Sequence, residues 1–167
     1  DDPGLIYRQT ILSLTEGDTI LANQYVEKFT SVLRDNSIPE VEITEELAYI
    51  YWEAGILDKA EKYYRKALSL EPKNPDYMNN LAYFLINNDP NINEGLVLIG
   101  TTLKLDPDNY DYLDTKGWGL YKQGKYQEAL DILQKSWDLR RKNAIYDHEA
   151  YLHLKEAKKA IVNQKNK

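Results

Sequence analysis

The sequence repeats itself with a period of about 34 residues through its central part. Gly55 and Gly124 lie 69 positions apart, and the same distance separates Ala60 from Ala129. A middle copy divides this distance into steps of 34 and 35, with one residue added near Asp89-Pro90. A period of this length indicates a repeat architecture, in which each unit exposes an apolar face that only its neighbour can cover. The chain is therefore predicted to fold as a stack of similar units.

Three aligned units begin at Val41, Pro75 and Tyr110, and each alternates small and bulky residues at fixed places. Small residues let two helix backbones approach closely, and bulky residues fill the space beside them. Glycine or proline then marks where a helix stops. The small residues are Ala48, Ala82 and Gly117 at the eighth place, Ala60, Gly95 and Ala129 at the twentieth, and Ala67, Thr102 and Ser136 at the twenty-seventh. The bulky residues are Tyr51, Leu85 and Leu120 at the eleventh place and Tyr64, Ile99 and Leu133 at the twenty-fourth.

This pattern resembles the tetratricopeptide repeat over about residues 41–140. The resemblance implies an all-α fold, a right-handed superhelix of antiparallel helix pairs with a C-terminal capping helix. We assign the units to 41–74, 75–109 and 110–143 of one continuous domain. The amino-acid sequences of the units are similar to those of bacterial, Bacteroides-type members of the family. Because the chain does not begin with Met, we expect a processed chain or a fragment, and both the cytoplasm and the bacterial envelope stay open as locations.

The segments on either side of the three units are also predicted to be helical. Residues 1–40 are predicted to form a degenerate leading pair, with helices over 5–14 and 22–33. Residues 144–167 are predicted to form a capping helix over 144–162 and a basic tail, with Lys155, Lys158 and Lys159 facing water. Trp137 lies on the preceding helix and is expected to pack against this cap.

Charge and composition exclude several classes of function. Residues 1–134 carry a net charge of −11, whereas residues 135–167 carry +5. A body this acidic lacks the basic face of a nucleic-acid-binding protein. No apolar run is long enough to span a membrane. Cys is absent, which excludes a disulfide scaffold and a thiolate metal site.

No set of residues has the spacing of a catalytic or cofactor site. His148 and His153 are five residues apart, so on a helix they point about 140° away from each other and cannot form the pair used by zinc peptidases. Gly117-Trp118-Gly119 has neither the spacing nor the preceding strand of a phosphate-binding loop. We therefore expect no enzyme activity, no metal and no cofactor, and a structural or surface role for both histidines.

In tetratricopeptide proteins the first helices of the pairs line a concave groove that binds peptides or protein segments. The resemblance places aromatic and acidic residues of this chain in that groove. Aromatic faces and carboxylates both attract cations, so we expect a partner segment that contains Lys or Arg. The carboxylate clamp of chaperone-binding members is not expected, because acids stand where its bases are required. The predicted partner-binding residues are Glu45, Tyr49, Trp52, Asp76, Asn79, Asn80, Tyr83, Asp111, Asp114, Trp118 and Tyr121.

Three alternatives stay open from the sequence. The groove aromatics could serve only to pack neighbouring helices, and the acids only to stabilise helix N-termini. The chain could be a structural spacer that self-associates through exposed repeat ends. It could also be an accessory segment of a larger enzyme.

Overall fold

A computed structural model describes residues 2–88 and 92–165, and the regular elements in those ranges are all α-helices. In chain order they are α1 (Pro3–Glu16), α2 (Thr19–Asp35), α3 (Glu40–Glu53), α4 (Leu57–Leu70), α5 (Pro75–Asn88), α6 (Ile92–Leu105), α7 (Tyr110–Lys122), α8 (Tyr126–Lys142) and α9 (His148–Lys165). The predicted all-α arrangement of helix pairs is confirmed. The residue inserted near Asp89-Pro90 lies outside the described residues.

Local sequence determines where most helices begin and end. At several N-termini a side-chain oxygen accepts a hydrogen bond from a backbone N–H of the first turn, as it does at Asp2, Asp18 and Asn109. Three helices end at a glycine with φ of 75° to 77°, in the left-handed region that glycine adopts without strain. These glycines are Gly17, Gly55 and Gly124.

The capping helix begins later than the sequence predicted. A helix was expected from Ala144, but Ala144 adopts a φ of 56° and its N–H closes the last turn of α8. A left-handed residue at this place ends a helix. Asp147 then caps α9, because its Oδ1 accepts a hydrogen bond from the N–H of Ala150 at 2.9 Å. The cap is therefore His148–Lys165, and a short connection separates it from α8.

The described helices form two compact units, which divide within α5 between Tyr77 and Met78. Unit 1 contains α1 to α4, and α3 packs against α1, α2 and α4. One of its core clusters joins Ile6 of α1, Phe29 of α2 and Ile50 of α3. The leading segment thus contains the helices α1 and α2, and it shares a core with the first repeat.

Unit 2 contains the rest of α5 and α6 to α9, and α7 packs against α6, α8 and α9. One of its core clusters joins Leu133 of α8 to Leu154 and Ala157 of α9, with Trp137 packed against them. The cap therefore covers the third repeat, and Trp137 packs against it as predicted.

Candidate functional site

The predicted groove residues of unit 1 lie on one side of α3. Each residue turns the helix by about 100°, so Glu42, Glu46, Tyr49 and Glu53 fall within about 60° of one another. All four of these side chains are exposed. We call the six residues on this side the α3 face: Glu42, Glu45, Glu46, Tyr49, Trp52 and Glu53. It is a stripe of carboxylates with aromatic rings among them.

Tyr49 and Trp52 form the aromatic part of the α3 face. Their rings meet edge to face, with centroids 6.2 Å apart and planes at 89°. Trp52 also meets the buried ring of Tyr64 in α4 at 6.3 Å, which fixes Trp52 against the core of unit 1. Tyr49 remains 44% exposed. A ring held in place by its neighbours and open to solvent offers contact area at little cost in conformational entropy.

The carboxylates of the α3 face repel one another. The Glu46 side chain is exposed but its carboxyl is partly desolvated, and this partial burial together with the charge of Glu42 raises its pKa above the ordinary value. Burial, and then the charge of Glu45, raise the pKa of Tyr64 as well. In both cases burial is the larger cause of the raised pKa, and the charge of a neighbouring glutamate adds to it. A cation placed on the α3 face would relieve this repulsion.

Helix α1 adds one residue to this surface that the sequence did not identify. Tyr7 donates a hydrogen bond from its hydroxyl to Oε2 of Glu53 at 2.6 Å. Burial and this bond to a carboxylate raise the pKa of Tyr7. The leading helix pair departs from the repeat pattern, so the repeat register assigned no groove positions to it.

Helix α5, which crosses the boundary between the units, carries three more of the predicted residues. Asp76 lies exposed in the first turn, where a carboxylate interacts favourably with the helix dipole. The Asn79 Nδ2 donates to Oδ1 of Asn80 at 3.3 Å, and both side chains are half-buried. The contact of these residues with a partner stays a prediction.

In unit 2, Trp118 lies in a stack of rings. Its plane is nearly parallel to that of Tyr121, with centroids 4.8 Å apart, and to that of His153 in α9, with centroids 4.1 Å apart. Its Nε1 donates to Oδ1 of Asn87 in α5 at 2.9 Å. Trp118 therefore joins the cap to the repeat helices.

Asp114 and Tyr83 also contact the cap. Asp114 is only 8% exposed, and its Oδ2 lies 2.8 Å from Nδ1 of the buried His153. Tyr83 donates a hydrogen bond to the carboxylate of Glu149 and lies 3.5 Å from Nε2 of His153. Burial and the bond to Glu149 raise the pKa of Tyr83. Of the two roles expected for the histidines, structural or surface, His153 thus has the structural one.

Asp111 meets a buried cation. Arg140 of α8 is 4% exposed, and its Nη2 donates to Oδ1 of Asp111 at 2.6 Å. Its Nη1 lies 3.5 Å from Asp147, and its guanidinium stands 4.7 Å from the ring centroid of Tyr110. The charge of Asp111 is therefore compensated within unit 2. The sequence did not identify Arg140 or His153 as partners of groove positions.

The described residues offer no sign of a metal site or a membrane span. In the ranges 2–88 and 92–165, no group of three or more His, Asp or Glu side chains could hold a metal ion. None of the described helices has the length and apolar character needed to cross a bilayer.

Sequence comparison identifies the repeats. Family models of the tetratricopeptide repeat match residues 41–84 and 111–148. A TPR repeat-containing protein of Pseudomonas aeruginosa is 30% identical over 151 residues, which cover 87% of this chain and 24% of that protein. The chain thus spans about a quarter of the length of this relative.

Two solved structures have a similar fold. The Sgt2 TPR domain from Aspergillus fumigatus aligns with a TM-score of 0.65 at 18% identity, over 77% of this chain and 83% of that chain. The first TPR of Spaghetti (RPAP3), bound to the HSP90 peptide SRMEEVD, aligns with a TM-score of 0.61 at 18% identity, over 74% of this chain and 96% of that chain. Because its helices pair as in these repeats and family models match two of them, the chain belongs to the tetratricopeptide repeat family.

Proposed function

We propose that this chain is a non-catalytic protein-interaction module that binds a basic peptide or protein segment on the α3 face. Membership of the tetratricopeptide repeat family supports an interaction module in general. The observation that carries the choice of partner is the α3 face itself, where exposed carboxylates surround the exposed ring of Tyr49.

The chemistry of the face selects the partner. A Lys or Arg side chain can lie over the ring of Tyr49 while it pairs with a neighbouring carboxylate such as Glu46. Burial raises the pKa of Glu46 and the charge of Glu42 adds to this, and the cation also relieves the repulsion between these two carboxylates. An acidic segment, or a terminal carboxylate, meets the same negative potential and is repelled.

The chaperone-type carboxylate clamp has little support in this chain. The places that would need Lys and Asn for such a clamp carry Glu45 and Tyr49 in the first unit, and a place that would need a base carries Asp111 in the third. The related structure with a bound HSP90 peptide therefore supports binding of a segment in general, and not an acidic segment for this chain.

The groove positions of unit 2 serve a different purpose in this proposal. Asp114 pairs with His153, Asp111 with Arg140, and Trp118 stacks on His153. These contacts fix the cap and leave little negative charge for a partner. We therefore place the main contact on the α3 face and give Asp111, Asp114 and Trp118 a supporting role.

A binding measurement tests the proposal with a defined probe. The probe is a fluorescein-labelled helical peptide of Lys, Leu and Ala, and its control has Glu in place of every Lys. Fluorescence anisotropy should show that the Lys peptide binds, that the Glu peptide does not, and that binding weakens as salt is added. Tyr49→Ala should weaken binding of the Lys peptide without unfolding the chain, since Tyr49 is exposed.

Matched charge variants locate the site. Glu42→Gln, Glu46→Gln and Glu53→Gln together should weaken binding about tenfold at low salt, because each exposed ion pair contributes about 0.5 kcal/mol. The control removes three exposed acids that lie outside α3: Glu16→Gln, Glu27→Gln and Asp58→Asn. Equal losses in the two triple variants would show that net charge, and not the α3 face, attracts the peptide.

A further inference from the structure

The outward side of α9 is unlike a solvated helix face. Its buried side consists of Ala150, His153, Leu154 and Ala157. The opposite side spans about 120° of helical rotation and mixes apolar with basic residues. We call these residues the α9 face: Tyr151, Leu152, Lys155, Lys158, Lys159 and Val162, all of them exposed.

The apolar members of the α9 face cover a substantial part of its surface. Tyr151 is 41% exposed, Leu152 is 39% exposed and Val162 is 57% exposed. On this helix Lys155 lies one turn after Tyr151 and Leu152 and two turns before Val162. Among the nearby acids, Glu156 lies 3.9 Å from Lys159, to the side of the face. Rows of apolar and cationic side chains on one helix face are typical of a helix that binds an acidic, partly apolar surface.

Such a surface is present on the chain itself. The α3 face has the opposite charge, carries exposed Tyr49 beside Trp52, and belongs to a unit with 15 acidic and 8 basic residues. The three lysines of α9 match the three exposed glutamates Glu42, Glu46 and Glu53 in number. The two faces are therefore complementary in charge and alike in apolar content.

We propose that the α9 face of one copy docks on the α3 face of a second copy, so that the basic segment bound by the α3 face is α9 of this same chain. This inference rests on the proposed function, because it uses the same acidic face and names its occupant. The contact is heterologous: it joins two different surfaces, and each pair of copies retains one unused face of each kind.

Mass measurement at several concentrations tests the inference. At low ionic strength, light scattering or sedimentation should give a mass that rises above that of one chain as the concentration increases through the micromolar range, and added salt should lower it. Lys155→Glu, Lys158→Glu and Lys159→Glu together should keep the chain monomeric at every concentration. The milder Lys→Gln triple at the same positions should shift the association to concentrations about tenfold higher.

A control and a charge exchange assign the surfaces. Lys62→Glu, Lys104→Glu and Lys125→Glu change the net charge equally at exposed positions outside α9 and should leave more association than the α9 triple does. The chain with Glu42→Lys, Glu46→Lys and Glu53→Lys should also be monomeric alone. When it is mixed with the α9 charge-reversed chain, each now meets an oppositely charged face, and association should return.

The outcomes separate this inference from the proposed function. If the wild-type chain is monomeric at all concentrations but still binds the Lys peptide on α3, the inference is wrong and the proposed function stands. If the chain associates but the α9 triple variant associates equally well, the contact uses another surface, such as the repeat ends, and the inference is again wrong. If neither the peptide nor a second copy binds, both are wrong. Far-UV circular dichroism of each variant shows whether the helices are retained.

Discussion

Gly117 is a sensitive position at which to test how the repeat holds its helices together. It lies inside α7, and a Cβ added there would stand 2.6 Å from Cγ and 2.8 Å from Cδ2 of Leu133 in α8. These distances are well below the separation at which carbon atoms attract, about 3.5 to 4.0 Å. The backbone N of Leu133 is 3.3 Å from the same point, so rotation of the leucine side chain alone does not make room. Gly117→Ala must therefore push α7 and α8 apart.

Gly100→Ala provides a matched control, because Gly100 lies inside α6 and no heavy atom stands within 4 Å of its added Cβ. Replacing glycine by alanine in a helix interior stabilises the helix by about 1 kcal/mol. That gain is common to both variants, whereas Gly117→Ala also bears an overpacking cost of about 1–3 kcal/mol. The free energies of unfolding of the two variants should thus differ by about 1–3 kcal/mol. For a chain of this size, each kcal/mol corresponds to a change of roughly 2–4 °C in Tm.

Thermal unfolding followed by circular dichroism measures this difference. Gly100→Ala should melt above the wild-type chain and Gly117→Ala below Gly100→Ala. Adding Leu133→Ala should cost less in the Gly117→Ala chain than in the wild-type chain, because the shorter side chain removes the clash. If Gly117→Ala were as stable as Gly100→Ala, the small eighth place would not set the approach of the two helices.

Three further predictions concern charge and protonation. Glu46→Gln should raise thermal stability at neutral pH, because burial and the charge of Glu42 raise the pKa of Glu46 in the folded chain. This increase in stability should vanish below pH 4.5, where the carboxyl is protonated in the folded and the unfolded chain alike. Stability should fall as the pH rises above 10.0, since burial raises the pKa of Tyr64 and the folded chain then holds more protons than the unfolded one; tyrosinate absorbance and circular dichroism should change together. His153→Phe keeps a ring in the cap but leaves buried Asp114 without its partner. Urea unfolding should therefore show that the free energy of unfolding falls by about 1–3 kcal/mol. An unchanged urea midpoint would contradict the structural role of His153.

The sequence predicted the helix pairs because small residues at fixed places can be recognised without knowledge of the fold. Gly117 was assigned to a place of close helix approach, and its contact with Leu133 has that geometry. The start of the cap was misplaced because Ala144 is a residue type that favours helix continuation, and only the structure shows its left-handed φ. Helix ends set by glycine were predictable, whereas a helix end set by alanine was not.

The electrostatic surroundings of the groove positions could not be predicted from the repeat register. Glu45 and Asp114 hold the same fifth place in their units, yet Glu45 borders a stripe of carboxylates and Asp114 is buried against His153. The register fixes the side of a helix on which a residue lies. The partner of that residue comes from another helix, and His153 is 39 positions further along the chain. Charge compensation therefore has to be read from the structure.

The proposed contact between copies joins two different surfaces, so it does not stop at two copies as a symmetric dimer does. Each docked pair still offers one α9 face and one α3 face, so further copies bind until a ring closes or no free copies remain. A chain with Lys155→Glu, Lys158→Glu and Lys159→Glu keeps its α3 face, accepts one wild-type α9 face and offers none of its own. Small amounts of this chain should therefore stop growth at one end and lower the average mass of wild-type assemblies in proportion to the amount added. If the average mass did not change, α9 could not be the surface by which copies are added.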